Sequence, residues 1–271
     1  MTQFFYVYYI HKERNFVFFK FLICFLASIG AGVGTGLAGM SAAVIISPML
    51  ITFLGMDAYS AIGIALASDV LASAVSAYTY GKNKKIDIKN SWLMLVVVLA
   101  FTVLFSWISS LVHHDTLELF SVVGTIIIAI KFLIKPDLNT KTTLSNDNPT
   151  KRTILVIICG AIVGSICGFA GAGGGMMMLI LLTTVLGYEL KTAVGTSVFI
   201  MTFTALVGSV SHFVVDGAPD WFCLIICMVF TLVFARISAL IANKVSPKTL
   251  NLTLGITLLA LSIVIIIFNC I

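Results

Sequence analysis

The stretch ILVIICGAIVGSICGFAGAGGGMMMLILLTTVLGY, residues 154–188, contains no Asp, Glu, Lys or Arg. As one continuous helix it would extend about 52 Å at 1.5 Å per residue, whereas the hydrocarbon core of a bilayer is about 30 Å thick. Glycines interrupt it near its middle, ending in Gly173, Gly174 and Gly175. Because a Gly-Gly-Gly step leaves backbone amides without helical partners, the stretch predicts two short apolar helices joined by a glycine break.

A second uncharged stretch, residues 21–56, has the same organisation, with glycines at 30, 32, 34, 36 and 39. When it is shifted by 132 residues, ten of the residues at positions 32–63 are identical to those at positions 164–195. Paired segments interrupted by glycine are typical of the internal repeats of secondary transporters. We therefore predict two homologous halves, residues 1–134 and 153–271, joined by a cytoplasmic linker at residues 135–152.

The composition excludes an ordinary soluble enzyme. Of the 271 residues, 60% are hydrophobic and 10% are charged, against about 25% charged in an average soluble domain. Further apolar runs cover residues 58–80, 91–112, 119–134, 192–215, 221–242 and 250–271. This pattern predicts an all-α polytopic membrane protein, with 8–10 transmembrane helices and the lipid bilayer as its partner. The net charge of +5 comes from cations in short loops, so nucleic-acid binding is not expected.

The positions of the basic residues predict how the chain crosses the membrane. Lysines cluster at 82–89 and in the linker, which places both segments in the cytoplasm, while residues 216–220 contain no Lys or Arg and are expected outside. Each half then crosses an odd number of times, so the two halves form inverted repeats. The scheme puts the amino terminus outside, and no cleaved signal peptide is expected there.

The glycine breaks are the candidate substrate sites. Successive N–H groups beside the start of a half-helix attract an anion without any formal positive charge. We assign to substrate binding the residues of both breaks and two hydroxyls in the helix that follows the second one: Gly39, Ser41, Gly171, Gly173, Gly174, Gly175, Thr196 and Ser197. The alternative is that the glycines serve only tight helix packing.

Asp69 is the candidate coupling or gating residue. It lies midway along the run at 58–80, where a carboxylate is costly unless it is paired, hydrated or protonated. A proton is the coupling ion that such a residue would carry. The structural alternative is an ion pair, for which only Lys131 and Arg236 are comparably placed in the sequence.

Other reactive side chains form no recognisable site, so no catalytic residue, metal or cofactor is expected. The six cysteines, at 24, 159, 167, 223, 227 and 270, all lie in apolar runs and are interpreted as core residues. His113 and His114 fall in an expected external loop, without a third ligand at metal spacing. His212 is expected at the external membrane interface.

Three motifs resemble the sulfite exporter TauE/SafE family of membrane transporters. They are Gly168-Phe-Ala-Gly-Ala-Gly-Gly-Gly175, Leu186-Gly-Tyr188 and Lys191-Thr-Ala-Val-Gly-Thr-Ser197. The first half repeats the pattern more weakly, with Ala38-Gly-Met-Ser-Ala-Ala43 in place of the glycine run. The resemblance implies a multi-pass secondary transporter of the plasma membrane that moves sulfite, sulfonates or related anions. An anion channel and an intramembrane enzyme are the alternatives, and the oligomeric state is left open.

Overall fold

The computed structural model of the chain describes residues 2–111, 149–170 and 174–242, together with single positions at 130, 252, 256, 259 and 263. The three continuous ranges form eight α-helices and contain no strand. The helices are α1 (Thr2–Ala38), α2 (Ala43–Leu54), α3 (Ala58–Lys82), α4 (Ile88–Ser109), α5 (Pro149–Ala170), α6 (Gly174–Thr184), α7 (Leu190–Asp216) and α8 (Trp221–Ile241).

Six of these helices are long and apolar enough to cross a bilayer, which confirms the prediction of an all-α polytopic membrane protein. The candidate spans are Phe16–Ala38, Ala58–Lys82, Ser91–Ser109, Arg152–Phe169, Lys191–Val215 and Trp221–Ile241. The runs at 119–134 and 250–271 lie almost entirely outside the described residues, as does most of the linker. Helix α5 begins at Pro149, inside the range assigned to that linker.

The predicted breaks exist, but the helices on either side of them are unequal. Helices α1 and α5 are full spans, whereas α2 and α6 have only 12 and 11 residues. The expectation of two short helices in each stretch was therefore wrong. The reason is that Gly32 and Gly36 are helical, and the chain leaves the helix only at Gly39, whose φ of 65° suits glycine.

The first break has the hydrogen bonds of a helix end that closes on glycine. The N–H of Gly39 donates to the carbonyl oxygen of Thr35 at 3.0 Å, and the N–H of Met40 donates to that of Gly34 at 3.3 Å. These bonds satisfy carbonyls that would otherwise have no partner in the last turn of α1. The chain can therefore reverse inside a buried environment, where exposed backbone groups would be costly.

Glycines bring α1 and α5 close to their main partners, α8 and α4. A Cβ atom on Gly36 would overlap the carbonyl oxygen of Ala235, and one on Gly168 would overlap that of Thr102. One turn earlier, two more glycines approach the same partner helices in the same way: Gly32 against α8 and Gly164 against α4. These contacts confirm the close helix approach predicted for Gly168.

The contacts between helices follow the same pattern for the first four described helices as for the last four. Helix α1 packs most extensively on α8 and α5 on α4, while α3 and α7 pack on each other. Helix α3 also contacts α8, and α7 contacts α4. The pattern is unchanged when the first four helices are exchanged with the last four, as the duplication predicts. The duplication itself stays a prediction.

Two ion pairs indicate the relative directions of the helices. Lys20, near the start of the span Phe16–Ala38 within α1, pairs with Asp220 just before α8, and Gly36 near the end of that span faces Ala235 in the second half of α8, so the span and α8 run in the same direction. Partial burial opposes ionisation of Asp220, but the hydrogen bond and charge of Lys20 together with backbone N–H donors outweigh it, and the pKa of the carboxyl is lowered from its ordinary value. At the other end, Lys85 after α3 pairs with Glu189 before α7, with Nζ and Oε2 3.1 Å apart.

Candidate functional site

The two glycine breaks contact each other in the interior of the protein. A Cβ atom on Gly175 would lie 2.6 Å from the carbonyl oxygen of Gly39 and 2.8 Å from the amide nitrogen of Ser41. The Ser197 hydroxyl, from α7, donates to the carbonyl oxygen of Gly175 at 3.1 Å and lies 3.4 Å from that of Gly39. We call these four residues, together with Asp69, the break junction. All five are buried.

Asp69 joins the break junction from α3, and every partner that the structure gives it is a neutral donor. The hydroxyl of Ser41 donates to Oδ2 at 2.7 Å and the hydroxyl of Ser73 to Oδ1 at 2.9 Å, while the backbone N–H of Ala42 also donates to the carboxylate. The side chain is 0% exposed. Since Ser41 and Ala42 directly precede α2, the carboxylate lies at the amino-terminal end of that helix, where negative charge is stabilised.

The alternative of an ion pair for Asp69 is not found in the described part of the chain. Arg236 is exposed, whereas Asp69 is fully buried, and neither described ion pair involves Asp69. Lys131 lies outside the described residues. The hydroxyl and amide donors thus replace a cation as the means of solvating this carboxylate.

The structure describes two of the four predicted glycines of the second break. Gly171 and Gly173 lie outside the described residues. Gly174 begins α6 and packs against Cys167 of α5, whose sulfur occupies the space that a Cβ atom would need. Gly175 is the residue of this series that contacts the first break.

Thr196 does not belong to the break junction, contrary to expectation. Its hydroxyl accepts the N–H of Asp87 at 3.1 Å, from the segment that joins α3 to α4. Successive helical residues point about 100° apart, so Thr196 and its neighbour Ser197 face different parts of the protein. The sequence indicated both hydroxyls, and the structure brings only Ser197 to the break.

Thr196 lies beside a polar contact between the segment that joins α3 to α4 and the start of α7, at the lysine-rich end of the protein. In addition to the ion pair between Lys85 and Glu189, the Tyr188 hydroxyl donates to Oδ2 of Asp87 at 3.1 Å. We call Lys85, Asp87, Tyr188 and Glu189 the latch. Burial, and next the negative charge of Asp87, raise the pKa of Tyr188, so its hydroxyl remains a donor at neutral pH.

The remaining polar candidates lie apart from the break junction. His212, near the end of the span Lys191–Val215, is fully buried: its ring lies 4.0 Å from that of Tyr59, and Nδ1 lies 3.3 Å from the Tyr59 carbonyl oxygen. Its position at the external interface stays a prediction. His113 and His114 lie outside the described residues. The five described cysteines are buried free thiols, as predicted, and Cys270 is not described. No three His, Cys, Asp or Glu side chains group into a metal site within the described ranges.

Sequence reasoning missed Ser73 and the latch. Ser73 follows Asp69 by four residues in one helix, and this spacing places two side chains on the same face, so the signal was present. The latch joins segments about 100 residues apart, and no local pattern pairs them.

Comparison with known proteins identifies the class of protein in which the break junction occurs. The chain matches the family described as sulfite exporter TauE/SafE over residues 24–265, a range that includes both glycine breaks and seven of the eight helices in full. The chain belongs to the TauE/SafE family. This confirms the resemblance of the three motifs, and the TauE/SafE chain is accordingly a multi-pass transporter of the plasma membrane.

Two curated relatives agree with this assignment. The chain is 22% identical over 222 residues to the "probable membrane transporter protein YunE" of Bacillus subtilis (strain 168), which covers 74% of this chain and 81% of that protein. It is 40% identical over 60 residues to the "probable membrane transporter protein YdhB" of the same organism, which covers 22% of this chain and 24% of that protein. No solved structure matches the TauE/SafE chain.

Proposed function

We propose that this TauE/SafE protein is a secondary transporter of small sulfur-containing oxyanions or organosulfonates, and that the substrate binds at the break junction. The family description supports the substrate class. The observation that carries the location is the convergence of Gly39, Gly175 and Ser197, from three different segments, on one buried point.

The break junction has the groups that such an anion requires. The first N–H groups of a helix have no partner within it, so the start of α6 at Gly174 and Gly175 presents donors and the positive end of a helix dipole. The Ser197 hydroxyl adds a donor that can turn from a carbonyl oxygen to the substrate. Gly171 and Gly173 complete the proposed set.

Asp69 is proposed as the coupling or gating residue. Its bond with Ser41 ties the first break to α3, and its bond with Ser73 orients the carboxylate. Protonation would remove the negative charge that these donors solvate, which would loosen the first break from α3. A proton gradient could in this way act on the substrate site through one side chain.

Transport requires movement because the break junction is buried. The latch closes the lysine-rich end of the contact between the halves. We propose that rocking of the halves opens this end and then the other, so that the junction is exposed alternately. The chain has no ATP-binding motif, and an ion gradient or the membrane potential is the proposed source of energy.

Uptake and exchange in proteoliposomes test the proposal. The panel contains sulfite, thiosulfate, methanesulfonate, taurine and small carboxylates, and saturable exchange of the sulfur compounds is expected. Ser197→Ala should raise the KM about 10–100-fold, as expected for the loss of one hydrogen bond to a charged ligand. Ser211→Ala is the matched control, since this hydroxyl of the same helix bonds only the carbonyl oxygen of Val207 among the contacts described.

Three results would contradict the proposal. Saturable transport of carboxylates alone would overturn the substrate class. Flux that does not saturate would indicate a channel. Equal effects of Ser197→Ala and Ser211→Ala would place the substrate away from the break junction.

A further inference from the structure

The two breaks differ in the side chains that face them. With the offset of 132 residues, Asp69 of the first half corresponds to Met201 of the second. The two hydroxyls that bond the carboxylate, those of Ser41 and Ser73, correspond to Gly173 and Ala205. Met201 is 1% exposed and Ala205 is fully buried, so both are core residues. The second half therefore lacks both the acid and the side-chain donors that surround it.

The amino-terminal end of α2 already holds a negative group. Ser41 supplies its hydroxyl and Ala42 its N–H to Asp69, and both residues directly precede the helix. These are the groups that would otherwise solvate a bound anion at this end. A substrate oxyanion at the first break would have to displace the carboxylate or share its donors.

We propose that Asp69 is a resident anion: its carboxylate fills the anion position at the start of α2, which leaves the substrate only the second break, and its charge selects monoanions over dianions. This inference rests on the proposed function, since it concerns the substrate of the same site. It makes Asp69 a specificity-determining residue, and it assigns sulfonates and other monoanions as the preferred substrate class.

The selection follows from the short path between the carboxylate and the second break. Ser41 donates to Asp69 through its hydroxyl, and its amide nitrogen lies beside Gly175. A single residue thus separates the resident charge from the start of α6. Coulomb repulsion is proportional to the product of the charges, so a dianion is repelled twice as strongly as a monoanion at the same position. The other acids whose side chains the structure describes, Asp57, Asp87, Glu189 and Asp220, each directly precede a helix, away from this contact.

Competition experiments in proteoliposomes test the selection. The competitors are methanesulfonate and sulfate, which share a tetrahedral shape and differ by one charge, acting on uptake of labelled sulfite. In the wild-type protein, methanesulfonate should inhibit at least about tenfold more strongly than sulfate. Asp69→Asn should reduce this ratio to about one, because the amide keeps the size of the side chain and removes its charge.

Asp57→Asn is the matched control. It removes a carboxylate from the amino-terminal end of the same helix α3, where Asp57 caps the N–H groups of Tyr59 and Ser60, and asparagine caps equally well. The ratio of the two inhibition constants should stay at its wild-type value. An unchanged ratio in Asp69→Asn, or an equal reduction in both variants, would overturn the inference.

A second pair of variants does not depend on the stability of Asp69→Asn. Met201→Asp places an acid at the corresponding position of the second half, where it should act as a second resident anion and reduce the rate of uptake at least tenfold. Met201→Asn has the same shape without the charge and should retain more of the transport. Equal losses in the two variants would contradict the proposal.

Failure of the inference can be distinguished from failure of the proposed function. If wild-type protein takes up no sulfur anion in a saturable manner, the proposed function is wrong. If uptake is saturable but methanesulfonate and sulfate compete equally, or neither competes, the transporter assignment stands and the resident anion is wrong.

Discussion

Gly174 shows how tightly the second break is packed. The residue begins α6 and lies against Cys167, and the sulfur of this cysteine occupies the place of a Cβ atom. The nearest remaining atom of the cysteine is its own Cβ, at 3.4 Å from that place, which is an ordinary contact distance. The lack of a side chain at position 174 is therefore required by one atom of one neighbour.

This geometry predicts a compensating pair of substitutions. Gly174→Ala should lower the stability of the purified protein by about 1–3 kcal/mol, the usual cost of overpacking a core. In a Cys167→Ala background, which removes the sulfur, the same substitution should cost less than half as much. Thermal unfolding in detergent measures both effects, and an equal loss in the two backgrounds would show that another contact requires the glycine.

At the scale of residues, the sequence predicted individual site residues better than it predicted the groups to which they are hydrogen-bonded. Asp69 was identified because a carboxylate at that depth needs compensation, and the structure confirms that it is buried. Its donors depend on the turn at Gly39, which brings Ser41 to α3 and which no local pattern specifies. Thr196 was wrongly grouped with Ser197 because composition does not show which face of a helix meets the break.

At the scale of helices, the glycines that precede each break serve contact between helices. Gly36 of α1 and Gly168 of α5 face backbone carbonyl oxygens, which cannot move aside as a flexible side chain would. Gly81, near the end of α3, is different, since a Cβ atom there would lie at an ordinary 3.4 Å from Cδ1 of Ile86. Gly81 therefore provides a control for substitutions at Gly36 and Gly168.

Alanine substitution should separate these glycines. Gly36→Ala and Gly168→Ala should each push a pair of helices apart and lower stability by about 1–3 kcal/mol. Gly81→Ala should leave stability unchanged or slightly higher, since alanine is the better helix former. Melting temperatures of the three purified variants provide the measurement. Tolerance of both Gly36→Ala and Gly168→Ala would contradict the close backbone approach.

The latch predicts a change in access to the break junction. Tyr188→Phe removes the hydrogen bond to Asp87, so the lysine-rich end should open more often. The net value of such a bond, about 0.5–1.5 kcal/mol, corresponds to a roughly 2–10-fold increase in the open population. A cysteine introduced at position 197 should then react faster with a charged thiol reagent added from that side.

Lys82→Gln is the control for the latch. Lys82 is exposed at the end of α3, close to Lys85 but outside the latch contacts. The Lys82→Gln substitution should leave the labelling rate of the cysteine at position 197 unchanged. Equal rates for Tyr188→Phe and the unmodified protein would mean that the latch does not limit access from this end.

The sequence predicted which helices exist and approximately where each begins and ends, because a membrane-spanning helix requires an apolar segment of a minimum length. The runs at 58–80 and 221–242 correspond closely to α3 and α8. Each glycine-rich stretch leaves the helix near its middle, as predicted, after Ala38 and after Ala170. Small residues favour both a break and close packing, and only the partner helix decides between them.

At the scale of the molecule, the two ion pairs predict the sidedness of the chain. The start of the span Phe16–Ala38 and the segment before α8 share one end, while the segments at 85 and 189 share the other. Reporter tags at the amino terminus and at Ala218 should therefore be external, and a tag at Lys84 cytoplasmic. Tags at Asn146 and Lys248, which lie outside the described residues, are also expected in the cytoplasm. Finding Lys84 and Ala218 on the same side would refute the arrangement.

The two halves were predicted as consecutive segments of the chain. The packing places helices of each predicted half against helices of the other. The offset of 132 residues suggested which segments resemble each other, but resemblance does not specify which segments touch. Most of the contacts of α1 are with α8, and α5 packs mainly on α4. Each half thus covers a glycine face of the other, and this partnership follows only from the assembled structure.

The pairing of α1 with α8 has a consequence for the ribosome-bound chain. Residues 39–220 must be synthesised before the partner of α1 begins to emerge, which takes roughly 10–40 s at about 5–20 residues per second. During this time the surface with Gly32 and Gly36 is in contact with lipid or with the insertion machinery. A nascent chain arrested before residue 221 should therefore be recognised by membrane proteases as an orphan, even though five of the six candidate spans have already been synthesised.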